Sequence, residues 1–547
     1  MTTWPATRSL SVLATLALVG CVGAPPTGGS ATLEIVSPAE GDQVAGPVPL
    51  VIALDPADEL VELEAFANGV RIARSPHLPL IAPVRLDSGG AGDGPTTLRV
   101  TATLTDGQRV STEIVVQVDT EPPALEVLSP ADGSFHFVQD EPFTFSVRAH
   151  DGSGLERGTL YAGDRVVATF APLLREELVA ELSPATLVPD GATGTTEVAL
   201  RAEVTDRVGR TSSVTTHVRV RSRLHFRFDT LGRIETRPEV LADGAVAVGS
   251  SDRSLYVVEP TGLERCHVEV GEVVGAPREL ADASAIIVGS TTALRAIAPS
   301  DCRVIWTYGS AGVWRAGPTV APDGTIYAAT FDGVLHAVSP AGAALWQAPL
   351  DGNAIAAPAL GPTGTIVIGT LSGTLHTFAP DGTPGWGFTV PAEIGAPALV
   401  TESGVYFGSY DLHVYGLDPA GGRLWPFEVA TDGFVQCAPA LSRSGDVVTC
   451  SRDGGVYAIG ARSGEVRWEH HAAGYTYGGV EIGADGTSYA GGVDGALVAL
   501  GGDGRPRWTF QAHEEIVARP AAGNGLVYFG SADRKLYALW ADGVPPE

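Results

Sequence analysis

A unit of about 40 residues recurs eight times between Phe226 and Trp540, and a period of that length restricts a chain to a propeller or a solenoid. One copy reads Gly317-Pro318-Thr319-Val320-Ala321-Pro322-Asp323-Gly324-Thr325-Ile326-Tyr327, then Asp332-Gly333-Val334-Leu335-His336-Ala337-Val338, then Ala344-Leu345-Trp346. A leading proline returns at Pro238, Pro277, Pro318, Pro358, Pro397, Pro439 and Pro520, with Gly479 in the remaining slot. A closing tryptophan returns at Trp306, Trp346, Trp386, Trp425, Trp468 and Trp508, and stepping back by the same period reaches Cys266 and Phe226.

Each copy holds four strand-sized pieces separated by turn signals. In the third copy Pro322-Asp323-Gly324, Asp332-Gly333 and Pro340-Ala341-Gly342 supply the tight turns between alternating apolar runs. Four antiparallel strands per unit predict a propeller blade, and eight units predict a closed ring. The last copy, Ala518 to Trp540, has only three strands, and Leu224-His225-Phe226-Arg227-Phe228 is a strand without a predecessor. Pairing the two closes the ring and leaves no open sheet edge.

A longer repeat precedes the ring. Leu33-Glu34-Ile35-Val36-Ser37-Pro38-Ala39-Glu40-Gly41 returns as Leu125-Glu126-Val127-Leu128-Ser129-Pro130-Ala131-Asp132-Gly133, and each copy ends in a strand pair around an aspartate turn, at Asp106 and Asp206. Modules of about 100 residues with short alternating strands predict immunoglobulin-like sandwiches. The expected fold class is therefore all-β: a signal peptide at 1–20, a tether at 21–31, two sandwich modules at 32–119 and 122–221, and an eight-bladed ring at 224–541. Asp140, Asp151 and Asp206 are read as turn formers through their side-chain hydrogen bonds. With no D-x-D-x-D run in the chain, no metal is expected.

The net charge of −28, with Lys535 the single lysine, argues against nucleic acid as a partner. The apolar run from Leu10 to Val19 is too short to span a bilayer and reads as a signal-peptide core. It ends in Leu18-Val19-Gly20-Cys21, which resembles the bacterial lipobox. That resemblance implies lipidation at Cys21. Val22 in the following position implies the outer membrane, where the anchored chain would face the periplasm or the cell surface.

The ring copies resemble the repeats of the pyrroloquinoline-quinone (PQQ)-like propeller family, in Gly530-Ser531-Ala532-Asp533-Arg534-Lys535-Leu536-Tyr537-Ala538-Leu539 and in Gly460-Ala461-Arg462-Ser463-Gly464-Glu465-Val466-Arg467-Trp468. The N-terminal modules resemble bacterial Ig-like domains through their Ser-Pro-x-acid-Gly phrase. With the lipobox, the resemblance points to the outer-membrane assembly lipoprotein B family, and implies a non-catalytic, monomeric envelope lipoprotein that binds or scaffolds protein partners. A quinone-dependent dehydrogenase is the alternative from the same fold. The chain lacks the adjacent cysteine pair, the concentrated metal ligands and the long inter-blade insertions of that branch, so no PQQ cofactor and no catalysis are expected. A surface adhesin or glycan-binding protein is a further alternative, suggested by the two-module stalk.

The loops between blades and the turns between second and third strands are expected on one face of the ring. That face would gather Trp314, Arg315, Tyr410, Phe434, Tyr475 and Tyr477, aromatics near arginines that suit a protein or glycan contact. His336 and His376 share a third-strand column with Tyr256, Tyr415, Tyr457 and Tyr537, so they are read as packing residues rather than metal ligands. Cys266, Cys302, Cys437 and Cys450 allow three pairings in an exported chain. Cys266–Cys302 and Cys437–Cys450 are favoured, with four free buried thiols the alternative. A four-residue loop at Ser442–Gly445 would set Cys437 opposite Cys450, whereas a three-residue loop with a bulge would put them on opposite faces.

Overall fold

The computed structural model describes residues 31–541 except 46, 77–82, 86–92, 189–194, 274, 311, 427, 473 and 475–477. The expected leader, the lipidation site Cys21, nearly all of the tether and the aromatic pair Tyr475 and Tyr477 lie outside the described residues. Strands dominate, and no helix among the described residues is long and apolar enough to cross a membrane.

From Leu224 onward the chain forms eight four-stranded antiparallel sheets. The third is typical: Thr319–Val320, Ile326–Thr330, Val334–Val338 and Ala344–Pro349 pair in chain order. Gly324 and Gly333 sit in its turns at φ of 85° and 83°, a conformation that L side chains resist and glycine accepts. The last sheet takes its outer strand from the start of the ring: Leu224–Asp229 pairs antiparallel with Lys535–Trp540.

The alternation along the second and third strands buries both faces of each sheet, because every sheet is sandwiched between two others. In the first sheet Ala247, Leu255 and Val257 pack with Ile286 and Val288 of the second. Its Val246, Val248 and Tyr256 pack on the opposite side with Tyr528 and Leu536 of the eighth. Every adjacent pair of sheets shares one such cluster, and the eighth-to-first cluster closes the circle. Full burial of a Val, Leu or Ile contributes about 1.5–3 kcal/mol, so these interfaces are the main source of the ring's stability.

The tryptophan column has a consistent task. The indole Nε1 of Trp306, Trp346, Trp386, Trp425 and Trp468 donates to a carbonyl in the last turn of the following sheet, at Pro340, Pro380, Pro419, Ala461 and Gly502. The ring lies over the glycine of that same turn: Gly342, Gly382, Gly421, Gly464 and Gly504. Phe226 covers Gly262 in the same manner. Trp425 reaches this position from outside a strand: the outer strand of its sheet is only Val429–Ala430, and Pro426, which has no backbone N–H, separates it from Trp425. At the Cys266 position the contact is covalent, since Cys266 is disulfide-bonded to Cys302, the positive-φ residue of the next sheet's last turn.

Cys437 is bonded to Cys450, with Cα atoms 5.4 Å apart. Ser442 N–H donates to the Asp446 carbonyl and Leu441 pairs with Val447, so the loop is the three-residue kind. The expectation that this register would separate the two cysteines assumed that the strand extends back to Cys437. Pairing in this hairpin begins only at Ala440, after Pro439, so Cys437 lies outside the strand register and its side chain reaches Cys450.

Two sandwich modules precede the ring. In the second, a three-stranded sheet (Ala124–Ser129, Phe143–His150, Glu177–Leu182) faces a five-stranded sheet in which Ser134–Phe137 runs parallel to Thr211–Arg221. Phe145, Val147, Leu160, Leu200 and Val218 fill the space between them. The first module has its own core around Leu63, Val100, Ala102 and Val116.

The second module contacts the ring where the repeat is interrupted. Trp508 is the last of its column, and the sheet that follows it, the eighth, is shared between the first and last strands of the ring. Arg223 packs against this tryptophan: its guanidinium lies 4.5 Å from the Trp508 ring and 4.1 Å from Phe137, donates to the Trp540 carbonyl, and is ion-paired with Asp140. Asp140 thus serves the junction between module and ring.

Candidate functional site

The short first strands of the sheets lie side by side around the ring axis and enclose a cavity of about 930 Å³. Its lining is uneven. Ala357, Pro358, Ala396, Pro397 and Ala438 make one side apolar, whereas Arg237, Arg278 and Arg519 gather on the other. Arg237 and Arg519 precede Pro238 and Pro520, at a position that is Ala or Gly in the other six copies, and Arg278 follows Pro277, so the signal was present as a departure beside the proline column.

The axial arginines are held by two glutamates. Arg237 donates to Glu239 at 3.2 Å and to Glu481 at 3.4 Å, Arg278 donates to Glu239 at 2.6 Å, and Arg519 donates to Glu481 at 2.8 Å. Burial pulls the Arg519 guanidinium down, opposed by Glu481. A quinone on this axis would need a carboxylate free to act as base and an acid set to hold calcium. Glu239 and Glu481 are instead both taken up by arginines, so neither of these two fits that role.

One mouth of the channel is built from two kinds of segment hydrogen-bonded to each other. In each case the turn between second and third strands donates a backbone N–H to the carbonyl of the loop that leads into its own sheet: Ser251 to Arg233, Thr291 to Glu272, Phe331 to Val313, Leu371 to Asn353, Tyr410 to Glu393, Arg452 to Phe434 and Ala532 to Glu515. The face is therefore a ladder of loop–turn pairs around the ring, and its chemistry is set by which side chains occupy them.

Among the described residues, aromatics and arginines meet at two places on it. Tyr410 and Phe434, from neighbouring sheets, stack with ring centroids 5.4 Å apart, and Arg452 lies over Phe434 at 5.9 Å. Phe434 is 42 % exposed. Two sheets away, the exposed Arg315 lies over Phe331 at 5.1 Å and lines the cavity, as Arg452 does. Phe331 and Arg452 were missed in the sequence because turn positions carry no periodic signal.

Trp314 does not belong to this face. It is fully buried between the second and third sheets, its ring centroid 4.8 Å from that of His336. Other sheets place Ile234, Val273, Ile394 and Ile516 in the same column, each against a glycine of the preceding sheet. Trp314 fills the volume left by a histidine in the tyrosine column, which sequence exposure rules cannot reveal.

The third-strand column is a set of packing residues with polar tips. Tyr256, Tyr415, Tyr457 and Tyr537 donate their hydroxyls to Asp252, Asp411, Asp453 and Asp533 at 2.6–2.8 Å. Burial, then the aspartate, pushes the Tyr256 phenol up to about 12. His376 bonds Asp351 at 2.8 Å, and the carboxyl of Asp351 lies well below the usual range: burial opposes this, but hydrogen bonds from His376 and neighbouring hydroxyls outweigh it.

Sheet architecture, axial channel and loop face together define a β-propeller of PQQ-like repeats. The family of outer membrane protein assembly factor BamB matches residues 205–357, 331–478 and 452–544, more than half of the chain, and the chain belongs to that family. No curated protein matches it. Among solved structures, BamB from Moraxella catarrhalis is similar at 20 % identity and a TM-score of 0.51, covering 59 % of this chain and 99 % of that one. The computationally designed Ika8 protein is similar at 15 % identity and a TM-score of 0.50, covering 57 % and 99 %. These two likenesses concern the fold.

Proposed function

We propose that this chain is a non-catalytic envelope lipoprotein, anchored through Cys21 in the outer membrane, whose eight-bladed ring docks a protein partner. Its two Ig-like modules serve as a stalk, as their sheet layout and shared opening phrase suggest. The observation that carries the docking surface is the partly exposed Tyr410–Phe434 stack capped by Arg452, with Arg315 over Phe331 two sheets away on the same face. Aromatic and arginine side chains together are the composition of interface hot spots. Membership of a family described as an outer membrane protein assembly factor supports the same reading, and the paired axial glutamates speak against a quinone enzyme.

The test is quantitative affinity capture from envelope extracts with the full chain and with Phe434→Ala/Arg452→Ala. A defined partner retained by the wild type and lost by the variant is expected. Equal capture by both would remove this face from the reading, and dye reduction after addition of quinone would replace the scaffold with the enzyme. Loss of labelled fatty-acid incorporation in Cys21→Ser tests the anchor separately.

A further inference from the structure

Three carboxylates meet where the two N-terminal modules join. Asp119 follows the last strand of the first module, Arg109–Val118; Asp151 follows Phe143–His150; Asp206 ends Thr196–Asp206. One oxygen from each lies within 4.8 Å of the others. Asp119 is 8 % exposed and Asp206 is fully buried.

In each aspartate, turn formation uses Oδ1 alone. Asp119 Oδ1 accepts the Glu121 N–H; Asp151 Oδ1 accepts the N–H and hydroxyl of Ser153; Asp206 Oδ1 accepts the N–H groups of Val208 and Arg210. Oδ2 of Asp119 and Oδ2 of Asp206 are buried with no hydrogen-bond partner. Among the described residues no basic side chain forms an ion pair with any of the three. Unpartnered buried carboxylate oxygens are costly, and three converging acids repel one another. Burial foremost, with the charges of Asp151 and Asp119, pushes the Asp206 carboxyl up.

We propose that Asp119, Asp151 and Asp206 bind one divalent cation of the calcium class, which clamps the first module onto the second. The donors are oxygens alone, the set that hard cations prefer and that zinc does not. The adjoining cavity, lined also by Gln43, Asp93, Gln117 and Glu121, has room for the further oxygen ligands or waters that calcium's six to eight positions require. Magnesium usually keeps several waters and binds through one or two carboxylates, fewer than the three gathered here. The bound ion would supplement the Thr120-Glu121-Pro122-Pro123 linker and stiffen the stalk.

The experiment is calorimetric titration of the chelator-stripped full chain with calcium chloride at neutral pH, with magnesium chloride in parallel. One site is expected, half-saturated below about 1 mM, the range of extracellular calcium modules. Asp119→Asn and Asp206→Asn each keep an oxygen for the turn but remove a charge, and should weaken binding at least tenfold. Without calcium, Asp206→Asn should unfold at or above the wild-type temperature, because it relieves a buried anion. If Asp206→Asn does not fold, Asp119→Asn decides alone. Absence of calcium binding by folded wild type, undiminished binding in the Asn variants, or magnesium binding as tightly as calcium would each overturn the proposal.

Discussion

The indole of Trp346 donates its Nε1 hydrogen to the Pro380 carbonyl at 2.9 Å while its ring lies across Gly382 in the next sheet. A β-carbon on Gly382 would stand 2.8 Å from the indole, and the residue has φ of 86°. The glycine is therefore needed twice, once for its backbone and once for the contact that locks neighbouring sheets.

Gly382→Ala should then cost more than a matched substitution that meets only the backbone demand. Gly445 has φ of 81° and nothing within 4 Å of its absent β-carbon. Gly445→Ala should lose about 1 kcal/mol from left-handed strain, and Gly382→Ala about 2–4 kcal/mol once crowding is added. Tryptophan fluorescence during guanidinium unfolding measures both, since every tryptophan except Trp4 lies in the ring. Equal losses would show that the indole yields without cost.

Cys266 and Cys302 occupy the tryptophan and turn-glycine positions of the same lock. Reduction should destabilise the ring by about 2–4 kcal/mol. The double variant Cys266→Trp/Cys302→Gly should restore the non-covalent version and lose the response to reductant at this site. Thermal unfolding with and without reductant, in a Cys437→Ala/Cys450→Ala background so that no second disulfide responds, checks this. A double variant less stable than the reduced wild type would contradict the equivalence.

His336 should make the third sheet acid-sensitive. It is buried, and burial holds its imidazole below the ordinary value despite Asp332. A base depressed in the folded state is protonated first in the unfolded state. Stability is therefore full above about pH 6.5 and falls as pH drops below it toward the folded value. Asp332 stands four residues before His336, as Asp252 stands before Tyr256. Trp314→Ile/His336→Tyr should rebuild the ordinary column and flatten the dependence of melting temperature between pH 6.5 and 5. His336→Tyr alone should be destabilised by crowding against Trp314. Identical pH slopes in the double variant and the wild type would exclude His336 as a source.

Arg223→Ala should loosen the junction between the second module and the ring. The side chain sits between Phe137 and Trp508 and is ion-paired with Asp140. Losing one partner of such a buried pair costs about 3–5 kcal/mol. The expected readouts are a lower ring melting temperature and a red-shifted tryptophan emission from newly wetted Trp508. Unchanged emission and melting would show that the module merely rests against the ring.

The repeat, the strand units and the closing of the last sheet by the first strand were legible in the sequence. Each rests on local chemistry: apolar alternation, Asp-Gly turns and columns of proline and tryptophan. The family followed from the same regularity. The depth of a side chain and its partners from distant segments were not legible. Trp314 reads as a loop aromatic until the sheets close over it, and Arg452 is an ordinary turn residue until Phe434 is placed beneath it. Asp151 and Asp206 read as turn formers, and each is one through Oδ1, while Asp119 carried no signal at all. That one oxygen from each of Asp119, Asp151 and Asp206 converges at a module junction was decided only by tertiary structure, because folding brings together charges that no sequence spacing records.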